Sequence, residues 1–139
     1  MPARTIVAPT VLAAVLAGVY LIWAPPSQDL AAATFRADLF SEHGFALWNN
    51  GWYSGHHLLS YSVLYQPLAA AVGVRLVGAI AVVAGAATFA ALVHRRFGDR
   101  GLIPALWFAA GAASWLLTGR MAFLLAVPFA QGFAQTNDF

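Results

Sequence analysis

Three consecutive pieces of the chain decide its fold: LVGAIAVVAGAATFAALV (residues 76–93), HRRFGDRG (94–101) and LIPALWFAAGAASWLLTG (102–119). The outer two are 18 residues each and carry no charge; Thr88 interrupts the first, Ser114 and Thr118 the second. As helices each would cover roughly 27 Å, close to the thickness of a hydrocarbon core. The middle piece is basic and holds Gly98 and Gly101, which mark a turn. The pattern predicts a transmembrane hairpin with Arg95, Arg96 and Arg100 at a cytoplasmic tip, since basic loops are retained on that side. Small residues at Ala81, Gly85, Gly111 and Ser114 are expected to let helices approach closely.

The composition points the same way. Of 139 residues, 61% are hydrophobic and 9% charged, against roughly 45–50% and about 25% in soluble domains. A water-soluble enzyme is excluded, and so is a disordered chain, which needs low hydrophobicity and high charge. With no cysteine there is no disulfide framework, no Cys-ligated zinc and no Cys nucleophile. The sequence pI of about 9.5 arises from few charges and a net +2. The one basic cluster is a topology signal, so the bilayer is the expected partner and nucleic acid is not.

Outward from the hairpin, residues 6–24 form another apolar run, read as a retained signal-anchor span. Pro9 is expected within about its first turn, and Pro25-Pro26 ends it. Residues 58–74 are apolar but interrupted by Tyr61, Tyr65, Gln66 and Pro67. If this segment spans, the parity of crossings puts the arginine turn outside. If it is interfacial or re-entrant, the arginines fall inside alongside Arg4, which the positive-inside rule favours, and its aromatics suit the headgroup level. Residues 121–130 read as an incomplete span broken by Pro128, followed by a polar end. The expectation is an all-α membrane protein, a single integral membrane domain of three to four transmembrane helices, and the N-terminal part of a longer polytopic protein. Its N-terminus and residues 94–101 are cytoplasmic. Residues 25–57 form a long extracytoplasmic loop containing an amphipathic juxtamembrane helix.

That loop holds three of the five acids (Asp29, Asp38, Glu42) and three of the four histidines (His43, His56, His57). Ser27 is suited to cap a helix from Gln28, and Gly44 to end it. On a helical wheel Leu30, Ala33, Ala37 and Phe40 form an apolar face, Asp29, Arg36 and His43 a polar stripe beside it. Asp38 and Glu42 fall on a third side. Such a helix lies along a membrane surface with its stripe toward a cavity, or is an ordinary solvated juxtamembrane helix. Asn50-Gly51 signals a tight hairpin turn that gathers Trp48, Trp52 and Tyr53, either as interfacial anchors or as a sugar-stacking platform. His56 and His57 are candidates for phosphate contact or a structural role. With Asp29 or Glu42 they also form a possible divalent-metal site, though no cofactor is required.

In order, Asp29 just past the first span, then Phe35-Arg36-Ala37-Asp38-Leu39-Phe40 and Gly44, are followed by Trp48, Trp52-Tyr53, Gly55-His56-His57 and Tyr61-Ser62-Val63-Leu64-Tyr65-Gln66-Pro67-Leu68. Over roughly residues 5 to 127 this arrangement resembles the N-terminal part of GT-C-type polytopic glycosyltransferases. It is most similar to uncharacterised actinobacterial integral membrane proteins related to them. The resemblance implies a bacterial plasma-membrane protein and a polyprenyl-phosphate-linked sugar donor. It implies Asp29 as the general base of inverting transfer to an extracytoplasmic acceptor. Desolvation at the lipid boundary would raise the pKa of such a base unless a cation such as Arg36 opposed it. Arg36, His56, His57 and Arg120 are the candidates to hold the leaving phosphate. The family often pairs its catalytic acid with a second one, whereas Asp29 stands between Gln28 and Leu30, and the family's later helices lie outside these 139 residues. The competing reading is a non-enzymatic small multi-pass membrane protein with an assembly or scaffold role. A transporter piece is disfavoured because the three clear runs contain no ionisable residue.

Overall fold

The computed structural model describes residues 2–46, 48–56, 58–59 and 63–136. The described chain is all-helical apart from one short strand pair. Helix α1 (Pro2–Trp23) is followed by α2 (Gln28–His43), the strands β1 (Trp48–Asn49) and β2 (Leu58–Leu59), α3 (Tyr65–Val72), α4 (Val74–Phe97), α5 (Leu102–Thr118) and α6 (Met121–Thr136). Arg4–Trp23 and the folded-back run Val74–Thr118 are long and apolar enough to cross a membrane.

α4 and α5 form the expected hairpin. The rings of Phe89 and Phe108 stack across it at 4.1 Å, and Gly78 faces Leu116 near its open end. The arginine-bearing residues His94 to Phe97 belong to α4 rather than to the turn; a 3-10 turn at Gly98–Gly101 reverses the chain, with Gly98 at φ +57°. α1 lies antiparallel to α4: Thr5 donates to Asp99 Oδ1 at 3.3 Å at one end, and Arg75 donates to the Tyr20 hydroxyl at 3.3 Å at the other. α6 runs beside α4 in the same direction. Gly78 has no room for a Cβ beside Met121, and Val127 lies against Gly85.

The core is made of small side chains, among them Ala13, Ala17, Ala81, Ala86, Ala109 and Ala113, with Leu116, Met121 and Leu124 filling between them. The outer faces are the apolar ones. Val7, Val11, Val15 and Val19, spaced four apart on α1, are each 53–57% exposed, and Ile103 and Trp107 on α5 are exposed further. An oily exterior around a core of small residues is the arrangement expected of helices that associate in lipid.

Several expectations need correction. Pro9 is buried inside α1 because that helix starts at Pro2. Pro128 does not break the last helix, which continues to Thr136. Its polar residues hold it to α4: the Thr88 hydroxyl bonds Gln131 Oε1, and Gln135 Nε2 donates to Thr88 O at 2.8 Å. In the 58–74 segment the helix is only eight residues, about 12 Å, too short to cross a bilayer. Tyr65 is fully buried, its hydroxyl 3.4 Å from Ala33 O, so it props α2 from beneath. Tyr61 lies outside the described residues. Of the four small residues singled out, Ala81 and Gly85 are buried in helix contacts, while Gly111 and Ser114 face outward.

Candidate functional site

α2 forms where its caps direct. Ser27 takes the extended backbone of an N-cap, and Gly44, at φ +70°, ends the helix with its N–H on Phe40 O at 2.8 Å. Ser27 makes no side-chain cap bond; its Oγ is buried without a partner beneath the α5–α6 turn. That turn comes very close. A Cβ on Gly119 would stand 2.6 Å from Ser27 Oγ and 2.5 Å from Leu30 N, and its φ of +81° independently calls for glycine. The wheel reading of α2 holds: Ala33 and Ala37 are buried with Leu30 and Phe40 beside them, and Asp38 and Glu42 are exposed.

Gly119 brings Arg120 to the first turn of α2. Arg120 Nε donates to Asp29 Oδ2 at 3.4 Å, with the two side chains 63% and 55% exposed. The pair stands at the mouth of a cavity of about 260 Å³, whose lining includes Asp29, Ala33, Arg36, Gly119, Arg120 and Phe123. Small-molecule pockets typically enclose roughly 300–1,000 Å³, so this one suits a phosphate or a single sugar ring. Asp29 and Arg36 lie two helical turns apart on one face, roughly 10 Å along the axis. Arg120 reaches them from across the chain. Three of the residues named from sequence are thus brought together with Ala33 of the predicted apolar face, and Gly119 and Phe123 join them as lining that sequence reasoning did not single out. A glycine directly after an apolar span was a visible turn signal; its closeness to α2 is a long-range contact with no local signature.

The aromatic and histidine candidates lie elsewhere. β1 and β2 pair antiparallel, Trp48 opposite Leu59 and Asn49 opposite Leu58, so the hairpin exists but its connection is wider than a two-residue Asn50-Gly51 turn. The chain reverses at Ser54 and Gly55, both with positive φ, while Gly51 lies against the Phe35 ring, where a Cβ would come within 2.9 Å. Trp52 packs on the same ring at 5.2 Å, so its stacking surface is partly used by Phe35, whereas Trp48 is 62% exposed. Trp48, Trp52 and the exposed His56 are not in the cavity lining. His57 and the side chain of Tyr53 lie outside what is described. His43 Nδ1 is 3.8 Å from Glu42 at the far end of α2. Among the described residues, no group of three His, Asp or Glu side chains gathers to hold a metal ion.

On the other side of α2, Arg75 fixes where the helix begins. Its guanidinium donates to Pro25 O at 3.0 Å and lies over the Tyr20 ring at 5.4 Å, joining the end of α1 to the start of α4. Comparison with protein families, with curated proteins and with solved structures found no match to the chain.

Proposed function

We propose that this chain is a membrane-embedded part of a glycosyltransferase and that the cavity of Asp29, Arg36 and Arg120 is its reacting centre. The observation that carries the reading is the convergence of one carboxylate and two guanidiniums on a cavity of sugar or phosphate size. The apolar exterior supports insertion. Arg4, Arg95, Arg96 and Arg100 stand at the end opposite the cavity, which by the positive-inside rule supports a cytoplasmic arginine end and an extracytoplasmic cavity. The setting proposed is a bacterial plasma membrane.

The chemistry divides along α2. Asp29 takes the proton from the acceptor hydroxyl as its oxygen bonds to the anomeric carbon of a polyprenyl-phosphate-linked sugar. The bond from that carbon to the phosphate oxygen breaks on the opposite face, the configuration inverts, and the lipid phosphate leaves as an anion. An in-line displacement needs base and leaving-group partner on opposite sides of the carbon, which a spacing of roughly 10 Å provides. Arg36 therefore suits the leaving phosphate. Arg120, in contact with Asp29, must release the base before reaction and then adds its charge to the phosphate. Of the loop tryptophans, Trp48 is the one left exposed for stacking on a sugar, outside the cavity lining.

Asp29→Asn tests this in membranes carrying the protein and a polyprenyl-phosphate sugar. Transfer is expected to fall about 10²–10⁴-fold, with helical content and melting unchanged. Unimpaired transfer by the variant would sink Asp29 as the base. The scaffold reading is favoured by one observation: the Asp29–Arg120 pair clamps α2 to the α5–α6 turn. On that reading Asp29→Asn alters stability and partner capture, with no transfer to lose.

A further inference from the structure

The cavity that holds Asp29 is a slot between two walls. α2 contributes Asp29, Ala32, Ala33 and Arg36, at i, i+3, i+4 and i+7 on one face of that helix. The facing wall is the α5–α6 turn with the first turn of α6, from Gly119 to Phe123. Phe123 is the aromatic in this lining, and it stands 53% exposed. Between its two charged residues the α2 wall carries only the methyl groups of Ala32 and Ala33, which leave the slot its width.

The Phe123 ring is held in place. Gly119 reverses the chain, so that Trp115 in the last turn of α5 meets Phe123 edge to face, with centroids 5.0 Å apart and planes at 76°. Trp115 itself packs against the buried core. An edge-to-face contact is directional, so the ring is preset and loses little freedom when a ligand arrives. A phenyl face is electronegative, so it attracts the C–H groups of a ligand and disfavours an anion. A pyranose offers both of the surfaces this slot calls for: C–H groups across one face and hydroxyls round the rim. With its C–H face on Phe123, the rim turns toward Asp29 and Arg120. An acyclic phosphate ester brings the charge but no such face.

We propose that Phe123 is the platform on which a hexopyranose stacks in this cavity, that Trp115 is its positioning residue, and that Ala32 and Ala33 set the width of the slot. The proposal rests on reading the cavity as a sugar site and names the residue there that selects a ring. Trp48 and Trp52 have no place in that lining. It does not require Asp29 to be the base.

The test uses the whole chain in neutral detergent and saturation-transfer NMR observed on the ligand. Glucose 1-phosphate and glycerol 1-phosphate are titrated separately; they share a phosphate monoester and differ in the ring. The wild type should prefer glucose 1-phosphate by about threefold to tenfold, with the strongest transfer to the C–H protons of one ring face. Phe123→Leu keeps an apolar side chain and should erase the preference, whereas Phe123→Tyr keeps the ring and should retain it. Trp115→Leu should weaken the preference with Phe123 still present. Ala32→Leu, at a partly exposed helix position, should narrow the slot and lower the preference too. An unfolded fraction lowers both titrations alike, so the ratio within one variant reports the site and not the fold. No ring preference in the wild type, or a preference that Phe123→Leu leaves unchanged, would overturn the proposal. Normal transfer by Asp29→Asn would remove the base and leave the platform standing; an unchanged ratio in Phe123→Leu would remove the platform and leave the base.

Discussion

At one end of the bundle, Thr5 on Asp99 and Arg95 on Gln135 tie helix ends together through the seams between long helices, and the arginines there share one acid among the described residues. At the other end, Arg120 on Asp29 and Arg75 on Pro25 join segments through turns, and charges of both signs face a cavity. Both ends use arginine as the fastener, but in different surroundings. The arginine end extends helices that already pack along their length. The acid end depends on a short helix, α2, held by α3 beneath it and by one close turn beside it. Chemistry that needs a carboxylate to change partners belongs on the second kind of support.

The comparison breaks outright if the two ends do not face different compartments. The chain has no cysteine, so single substitutions report cleanly. Ser41→Cys probes the acid end and Arg100→Cys the arginine end; Gly98, at φ +57°, is a poor choice because a side chain there is strained. An impermeant maleimide on intact cells should label position 41 and not 100, with both reactive after lysis. Labelling at both in intact cells would mean that the bundle does not separate two compartments, and the extracytoplasmic placement of Asp29 would go with it.

Gly119→Ala attacks the support of the acid end alone. Leaving glycine at a left-handed position costs about 1–2 kcal/mol, and overpacking against Leu30 N and Ser27 Oγ adds about 1–3 kcal/mol. A total near 3 kcal/mol should appear as a large loss of unfolding stability in detergent, together with loss of transfer. Gly111→Ala is its control: that glycine lies within α5 with nothing within 4 Å of the added Cβ, so the change should be neutral or stabilising by up to about 1 kcal/mol. Equal effects would deny that the turn's approach to α2 matters.

Thr88→Val attacks the other end through its seam. Polar contacts between packed membrane helices contribute about 0.6–2 kcal/mol, and Thr88 bonds Gln131 through its hydroxyl. Loss of about 1 kcal/mol with unchanged labelling at position 41 would keep the two ends independent. Loss of order around α2 as well would merge them.

What was legible in the sequence follows the range of the forces involved. The C-terminal end of α1 and both ends of α5 could be read because proline and glycine act within a turn of where they stand, whereas α1 begins before its apolar run and α4 continues through His94 to Phe97 beyond its own. The faces of α2 could be read because periodicity is local. Pro128 misled because its missing N–H is a local defect, whereas Gln131 and Gln135 hold the helix through α4, dozens of residues away. The packing of Tyr65 under α2 was not legible for the same reason: its partner Ala33 is 32 residues away. In the candidate site, Asp29 and Arg36 share a stripe any wheel displays. Bringing Arg120 to them required the approach of Gly119 to α2, and the separation of Trp52 from them required the ring of Phe35 on the other side of that helix.

The smallest effect is the most discriminating. Asp29 and Arg120 are both more than half exposed and their contact is long at 3.4 Å, so a double-mutant cycle of Asp29→Asn and Arg120→Gln should give a stability coupling of only about 0.2–1 kcal/mol, weaker at high salt. A weak pair is what a base that must release its cation requires, since any stability held in the pair is paid again as an activation cost. The same cycle read by transfer should look different. If Asp29 is the base, as proposed, Asp29→Asn alone leaves little for the second change to take away, so the two effects fall far short of adding. A coupling of several kcal/mol in stability would instead make the pair a structural clamp, and α2 would be held closed by the very contact that catalysis needs to open.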